Sequence, residues 1–301
     1  MTSAISAAVA ARGARLDRAQ SYWTLAARRF LRHRVAVAGL LILSAIAAMA
    51  ALAGVLAPHN PTAIDATAFR APPSAAHPLG TDSVGRDVLS RLVYASRVSL
   101  SVGLLAVTMY VVIGTAVGAA AAYHGGTVDL VLSRLMDIVL SFPPLIIILF
   151  AVSVFGRPSL WNVILVLGLL GWPPVARLVR GQILALRQQE FVHAARAMGA
   201  GDGRLIVRHL LPNAMAPVLV AATFGTANAI LIEAALSFLG LGVQPPTPSW
   251  GNMLTDAQSL TVLEQMPWLW VPPGFMILLS VLVINFVGDG FRDALDPSLK
   301  L

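Results

Sequence analysis

The chain has 301 residues, 57% of them hydrophobic and only 12% charged, with a mean hydropathy of +0.77. A soluble domain is about 45–50% apolar and about 25% charged, so a water-soluble core does not fit and the bilayer is the expected solvent. Cysteine is absent, which removes disulfides, thiol catalysis and Cys-ligated metals, and the net charge of +7 lies in Arg clusters between apolar runs with no nucleic-acid recognition motif.

A helix crossing about 30 Å of hydrocarbon needs roughly 20 apolar residues. In chain order, a segment carrying seven Arg (1–34) leads into a first span predicted at 35–57, too long and without a cleavage site for a signal peptide. A Pro-rich connection follows at 58–97. Further spans are predicted at 98–122, 135–155 (with Pro143-Pro144), 159–176 (with Pro173-Pro174), 214–239 (with Glu233) and 268–288 (with Pro272-Pro273). A basic loop at 177–213, a second Pro-rich segment at 240–267 and a tail at 292–301 complete the chain, and 98–291 forms a five-helix core. The fold class is thus all-α, a polytopic membrane protein with six transmembrane helices.

Placing both termini inside puts 16 of the 21 basic residues on the cytoplasmic side, as the positive-inside rule demands. Trp161, Trp250, Trp268 and Trp270 then fall at the outer interface. The sole lysine is Lys300, so no P-loop can be built. With no zinc or nucleophile motif either, the chain is expected to be non-catalytic.

The loop 177–213 holds the main functional signal. Phe191, Ala194, Ala195 and Met198 recur at helical spacing and make one apolar stripe on a short helix starting near Glu190. Gly199 stands where a helix end needs a left-handed residue, and a second short helix from Arg204 is expected to stop at Pro212. Such a helix suits a groove on a partner protein or anionic lipid, and periodicity alone does not choose between them.

Other features have two readings each. Glu233 in the fifth span either lines a pathway or hydrogen-bonds to a neighbouring helix, since charge in mid-bilayer must face protein or water. Asp137 is placed to pair with Arg134. Asp82, Arg86, Asp87 and Arg91 either cap a helix or contact an external protein. The Pro pairs kink helices for gating or for fit, and Gly114 and Gly118 form a small-x-x-x-small packing face.

The loop resembles the Glu-Ala-Ala coupling loop of ATP-binding-cassette importer permeases. Ala194-Ala195, Gly199 and Leu211-Pro212 match that pattern, while His193 replaces its leading Glu. The stretches His-Pro-Leu-Gly-Thr-Asp-Ser-Val-Gly-Arg-Asp from His77, Glu-Ala-Ala-Leu-Ser-Phe-Leu-Gly-Leu-Gly from Glu233 and Gly-Asp-Gly-Phe-Arg-Asp from Gly288 resemble the C-type permeases of dipeptide, oligopeptide and nickel importers.

That resemblance, running from about residue 25 to 299, implies half of a translocation pathway for peptides or similar small solutes. Nickel chelates and glutathione-like solutes remain alternatives, and a self-sufficient secondary transporter is a more distant one. It implies a B-type permease partner, two cytosolic ATPase subunits that bind ATP and magnesium, an external substrate-binding protein, and a prokaryotic cell membrane. This chain itself would need no cofactor. Glu190, Phe191, His193, Ala194, Ala195, Met198, Gly199 and Pro212 would couple it to the ATPases.

Overall fold

The computed structural model describes residues 22–154 and 159–295. The Arg-rich stretch 1–21, Phe155, Arg157, and 296–301 with Pro297 and Lys300 lie outside the described residues.

Helix α1 (Tyr22–Arg32) lies against the last helix of the chain, where Phe30 meets Phe291 at a ring-centroid distance of 4.9 Å. His33 then caps α2 (Arg34–Ala51) by accepting from the Ala36 amide at 3.1 Å. The predicted first span breaks at Leu52, and α3 (Ala53–Leu56) continues it for one turn.

The Pro-rich connection ends earlier than expected. Asp87 caps α4 (Val88–His124), so the second span is 37 residues rather than the predicted stretch from 98, or about 55 Å long. Asp82 accepts from the Arg86 side chain at 2.7 Å and lies 3.4 Å from Arg91 Nε, which fixes the turn before α4. The capping reading of this charged cluster is the one the structure shows.

The third predicted span is bent. Helices α5 (Gly126–Ser141) and α6 (Pro144–Val154) meet at 90° around Phe142-Pro143. Proline lacks an amide donor and holds the preceding residue out of the helical region. Asp137 on α5 pairs with Arg134 at 3.7 Å as expected, but its shorter contact, 2.7 Å, is with Arg177 on a different helix.

Helices α7 (Leu160–Leu170) and α8 (Trp172–Leu186) join at Gly171 and pass together as one span. Pro173 and Pro174 sit in the first turn of α8, where missing amides leave no hydrogen bond unmade. Gly114 and Gly118 on α4 lie against the backbone at Trp172 and Ala176, so any side chain there would push the helices apart.

Beyond α8 come α9 (Glu190–Ala197), α10 (Asp202–Arg204), a π-helical stretch (Leu205–Leu210) and α11 (Leu211–Phe238). These last three run as one 37-residue helix, so Pro212 does not end a short helix as predicted. The wide π turn shifts the hydrogen bonds by one residue, with the Leu211 amide donating to the Ile206 carbonyl, and Pro212 falls in the first turn of α11. The basic loop therefore shrinks to 187–201.

The segment before the last span carries α12 (Trp250–Met253), a 3₁₀ turn (Thr255–Gln258) and α13 (Leu260–Gln265), and α14 (Pro267–Leu295) follows. Among the described residues, five helices are long and apolar enough to cross a membrane, or six with the bent α5–α6 pair counted as one span. Large apolar residues such as Leu41, Leu104, Phe150 and Leu278 face outward. Exposing them to water would be costly, and lipid is the environment that suits them. Helix α4 is central, packing on α2, α7, α8 and α11, while α14 fills the groove between α2 and α11.

Candidate functional site

Helix α9 has two apolar faces, not one. Val192 and Ala195 point inward and are buried with Ile183 of α8, Leu205 and Leu210 of the π stretch, and Ala119 and Ala122 of α4. Phe191 (41% exposed), Ala194 and Met198 (82% exposed) point outward. The predicted single stripe is corrected: Ala195 belongs to the inward face, and Val192 was overlooked. In an eight-residue helix both stripes are apolar, and only the tertiary contacts decide which faces in. Val207, 67% exposed one helix later, is a further outward apolar residue. Glu190 and His193 are exposed on the rim, and Pro212 stands apart in α11.

The turn after α9 is tightly specified. Gly199 has φ +82°, its amide donates to the Arg196 carbonyl at 3.0 Å, and the Ala200 amide donates to the Ala195 carbonyl at 3.1 Å. This pair of bonds is the Schellman arrangement, which places a left-handed residue at Gly199.

Polar ties lock the turn to the span ends. Arg187 donates to the Ala122 carbonyl at 2.9 Å, the Tyr123 hydroxyl donates to Asp202, and Arg180 grips Asp129 through two bonds of 2.5 and 2.6 Å. The helix with its outward apolar face is thus packed with α4, α8 and the π stretch, and the span ends on either side of it are tied to one another.

A cavity of about 440 Å³ opens between α4, the bent α5–α6 pair, the α7–α8 span and α11. Its wall is mostly apolar, with Phe142, Pro144, Leu167 and Phe224, and the polar side chains Tyr110 and Asn228 also line it. The Pro143-Pro144 break thus shapes this cavity.

Glu233 is placed elsewhere. It is fully buried near the C-terminal end of α11, away from the lining of this cavity, and is hydrogen-bonded as one of its two readings expects. Ser99 of α4 donates to one carboxyl oxygen at 3.0 Å and Ser237 to the other at 2.7 Å. Those serines in turn accept from the amides of Trp250 and Val243, at 3.2 and 3.0 Å. Ser249 and Asn252 form a capping box at the start of α12. Trp250 is fully buried, with its indole donating to the Leu92 carbonyl, so it is a core residue rather than part of an interfacial belt.

In the connection before α4, Asp87 holds its proton less readily than an ordinary carboxyl. Burial pushes its pKa up, but the Ser90 hydroxyl and amide and His77 outweigh it and lower it. Asp65 is also held low, by the Thr67 hydroxyl and amide.

Residues 92–301 match the family described as the binding-protein-dependent transport system inner membrane component. The chain belongs to this family. Residues 21–73 also match the N-terminal transmembrane domain of oligopeptide transport permease C, so the two matches together place the chain among C-type permeases of ATP-binding-cassette systems. A dipeptide transport system permease protein of Alkalihalophilus pseudofirmus is 42% identical over 282 residues, covering 94% of this chain and 92% of the relative. The glutathione transport system permease protein of Pectobacterium atrosepticum is 40% identical over 274 residues, covering 91% and 90%. In structure, the chain is similar to the MetNI methionine ABC transporter captured facing inward, with a TM-score of 0.56 and 21% identity over 68% of this chain and 96% of that one. That likeness concerns the fold.

Proposed function

We propose that this chain is the C-type permease subunit of an ATP-driven importer of di- or oligopeptides, with α9 as the helix that a cytosolic ATPase grips. One observation carries this: α9 presents Phe191, Ala194 and Met198 to the outside while its opposite face is wedged against α4, α8 and the π stretch. A force applied to the outward face reaches the spans through packed side chains, because close-packed interiors transmit displacement rather than absorb it. The spans it reaches, α8 and α11, wall the 440 Å³ cavity.

In this reading a related B-type permease supplies the other half of the pathway, two ATPase subunits bind ATP and magnesium, and an external protein delivers the solute. Both termini and α9 face the cytoplasm. A mostly apolar wall with a few hydrogen-bonding groups holds a peptide loosely, which favours passage, and selection rests with the delivering protein. The glutathione relative favours short peptide-like solutes of that kind as a second substrate class.

The test is uptake of labelled dipeptide into vesicles holding the assembled complex. It should need ATP and the ATPase subunits and survive collapse of ion gradients; uptake by this chain alone would refute the reading. Orientation is checked with single cysteines, since the chain has none. A reagent that cannot cross the membrane should label Gly203→Cys only from the cytoplasm and Thr247→Cys only from outside, both positions being exposed.

A further inference from the structure

The outer connection gathers two histidines and a carboxylate from positions far apart in sequence. His59, His77 and Asp87 each offer a ligand atom, and these atoms lie within 4.8 Å of one another. His77 Nδ1 is 2.9 Å from Asp87 Oδ1, His59 Nδ1 is 3.8 Å from Asp87 Oδ2, and the two imidazole rings stand 5.0 Å apart. We propose that His59, His77 and Asp87 form a binding site for a first-row divalent transition cation of the zinc type, which staples the outer connection to the start of α4.

Distances favour it. Zinc holds nitrogen and oxygen ligands at about 2.0–2.2 Å in tetrahedral geometry, which sets neighbouring ligand atoms roughly 3.4 Å apart. The observed separations are 2.9 and 3.8 Å to the two oxygens of Asp87, and one ligand atom from each residue lies within 4.8 Å of the others, so inward shifts of up to about an ångström complete the site. The donor set of two imidazoles and one carboxylate suits zinc, nickel, cobalt or copper, whereas calcium and magnesium call for oxygen throughout.

The ligands are held from outside the site as well. Ser90 fixes two of them at once: its amide and hydroxyl donate to Asp87 Oδ2 at 2.7 and 2.6 Å, and its hydroxyl accepts from the His59 amide at 3.0 Å. His77 is set in a tight turn, with its amide donating to Ser74 and its carbonyl accepting from the amides of Ser74 and Gly80. Asp65 Oδ2 stands 3.6 Å from His77 Nε2, the nitrogen left over once Nδ1 faces the cation. An outer carboxylate behind a ligating histidine is the usual way such a ring is oriented. The side chains of His77 and Asp87 are 12% and 1% exposed, while that of His59, at 42%, leaves a route from solvent.

Binding needs no proton beyond those present: the Nδ1 proton that His77 shares with Asp87 shifts to Nε2, beside Asp65, and frees the Nδ1 lone pair for the cation. The rival arrangement keeps the proton on Nδ1, a plain His77–Asp87 hydrogen bond with no place for a metal.

The experiment is isothermal titration of zinc chloride into the purified full-length chain in detergent, with any affinity tag removed. The site predicts one equivalent of zinc that the His59→Ala, His77→Ala double variant does not bind. Asp65→Asn should weaken binding about tenfold to a hundredfold, and His124→Ala, on the inner side of α4, should change nothing. His59 is half-exposed, so His59→Ala alone keeps the fold and should weaken zinc at least about a hundredfold. Protection of 58–87 from protease should fall on adding a chelator. Zinc uptake by the double variant equal to that of the natural chain would overturn the proposal, as would protease protection of 58–87 that is the same with zinc and with a chelator.

Discussion

The two ends of the 202–238 helix, inner and then outer in the proposed orientation, are finished in opposite ways. Its outer end closes on itself: Glu233, Ser237, Ser99 and the amides of Val243 and Trp250 satisfy one another, and the residues involved are buried. Its inner end is left open, with Phe191, Met198 and Val207 exposed around a rigid turn. A buried polar group without a partner costs about 1–3 kcal/mol, so the outer end is completed within the chain. An exposed apolar face needs a partner from outside. The lesson is that burial separates the residues that hold this protein together from those that present it to others.

The largest effect should come from breaking the outer end. Glu233→Leu strips both serine hydroxyls of their acceptor and should cost about 3 kcal/mol in a detergent unfolding titration, while Glu233→Gln, which keeps an acceptor, should cost about 1 kcal/mol. Equal losses in the two variants would mean that the hydrogen bonds are not what matters.

The inner end should respond in binding instead of folding. Phe191→Asp with Met198→Asp should leave unfolding unchanged but weaken association with the ATPase by about 2 kcal/mol, or roughly 30-fold. Destabilisation of the isolated chain by that pair would erase the contrast between the ends.

Between these lies the turn. Nothing stands within 4 Å of a side chain added at Gly199, so Gly199→Leu meets only the backbone penalty of φ +82°, about 1–2 kcal/mol. The outcome to look for is ATP hydrolysis uncoupled from uptake, and full uptake in the assembled complex would show that the turn's shape is dispensable. The smallest effect belongs to the ties around the turn. Asp129→Asn removes a partly exposed pair with Arg180 and should lower stability by about 0.5–1 kcal/mol, shrinking further in high salt.

Much of this architecture was legible beforehand, and the misses have physical causes. Long apolar runs announce spans because the bilayer admits little else, and Gly199, Gly114 and Gly118 fill the turn and packing roles that glycine spacing suggested. The span ends were misplaced wherever a polar residue continued a helix past its apolar stretch, as at Val88 and at Leu186. Pro212 misled because a proline that stops one helix can equally begin another, and the π turn that decides between them leaves no mark in composition.

At the site, the short helix and its turn could be read, but its inward face could not, since Val192 and Ala195 become internal only through Leu205, Leu210 and Ile183. The hydrogen bonding of Glu233 depended in the same way on Ser99, which lies 134 positions earlier. Hydropathy, positive charge and glycine placement by themselves determined that the chain spans a membrane and carries a capped helix in its basic loop, because these are local consequences of solvent and backbone. Which apolar face is free, and which acid is silenced, was decided only by the tertiary structure, because each depends on atoms brought together from distant parts of the chain.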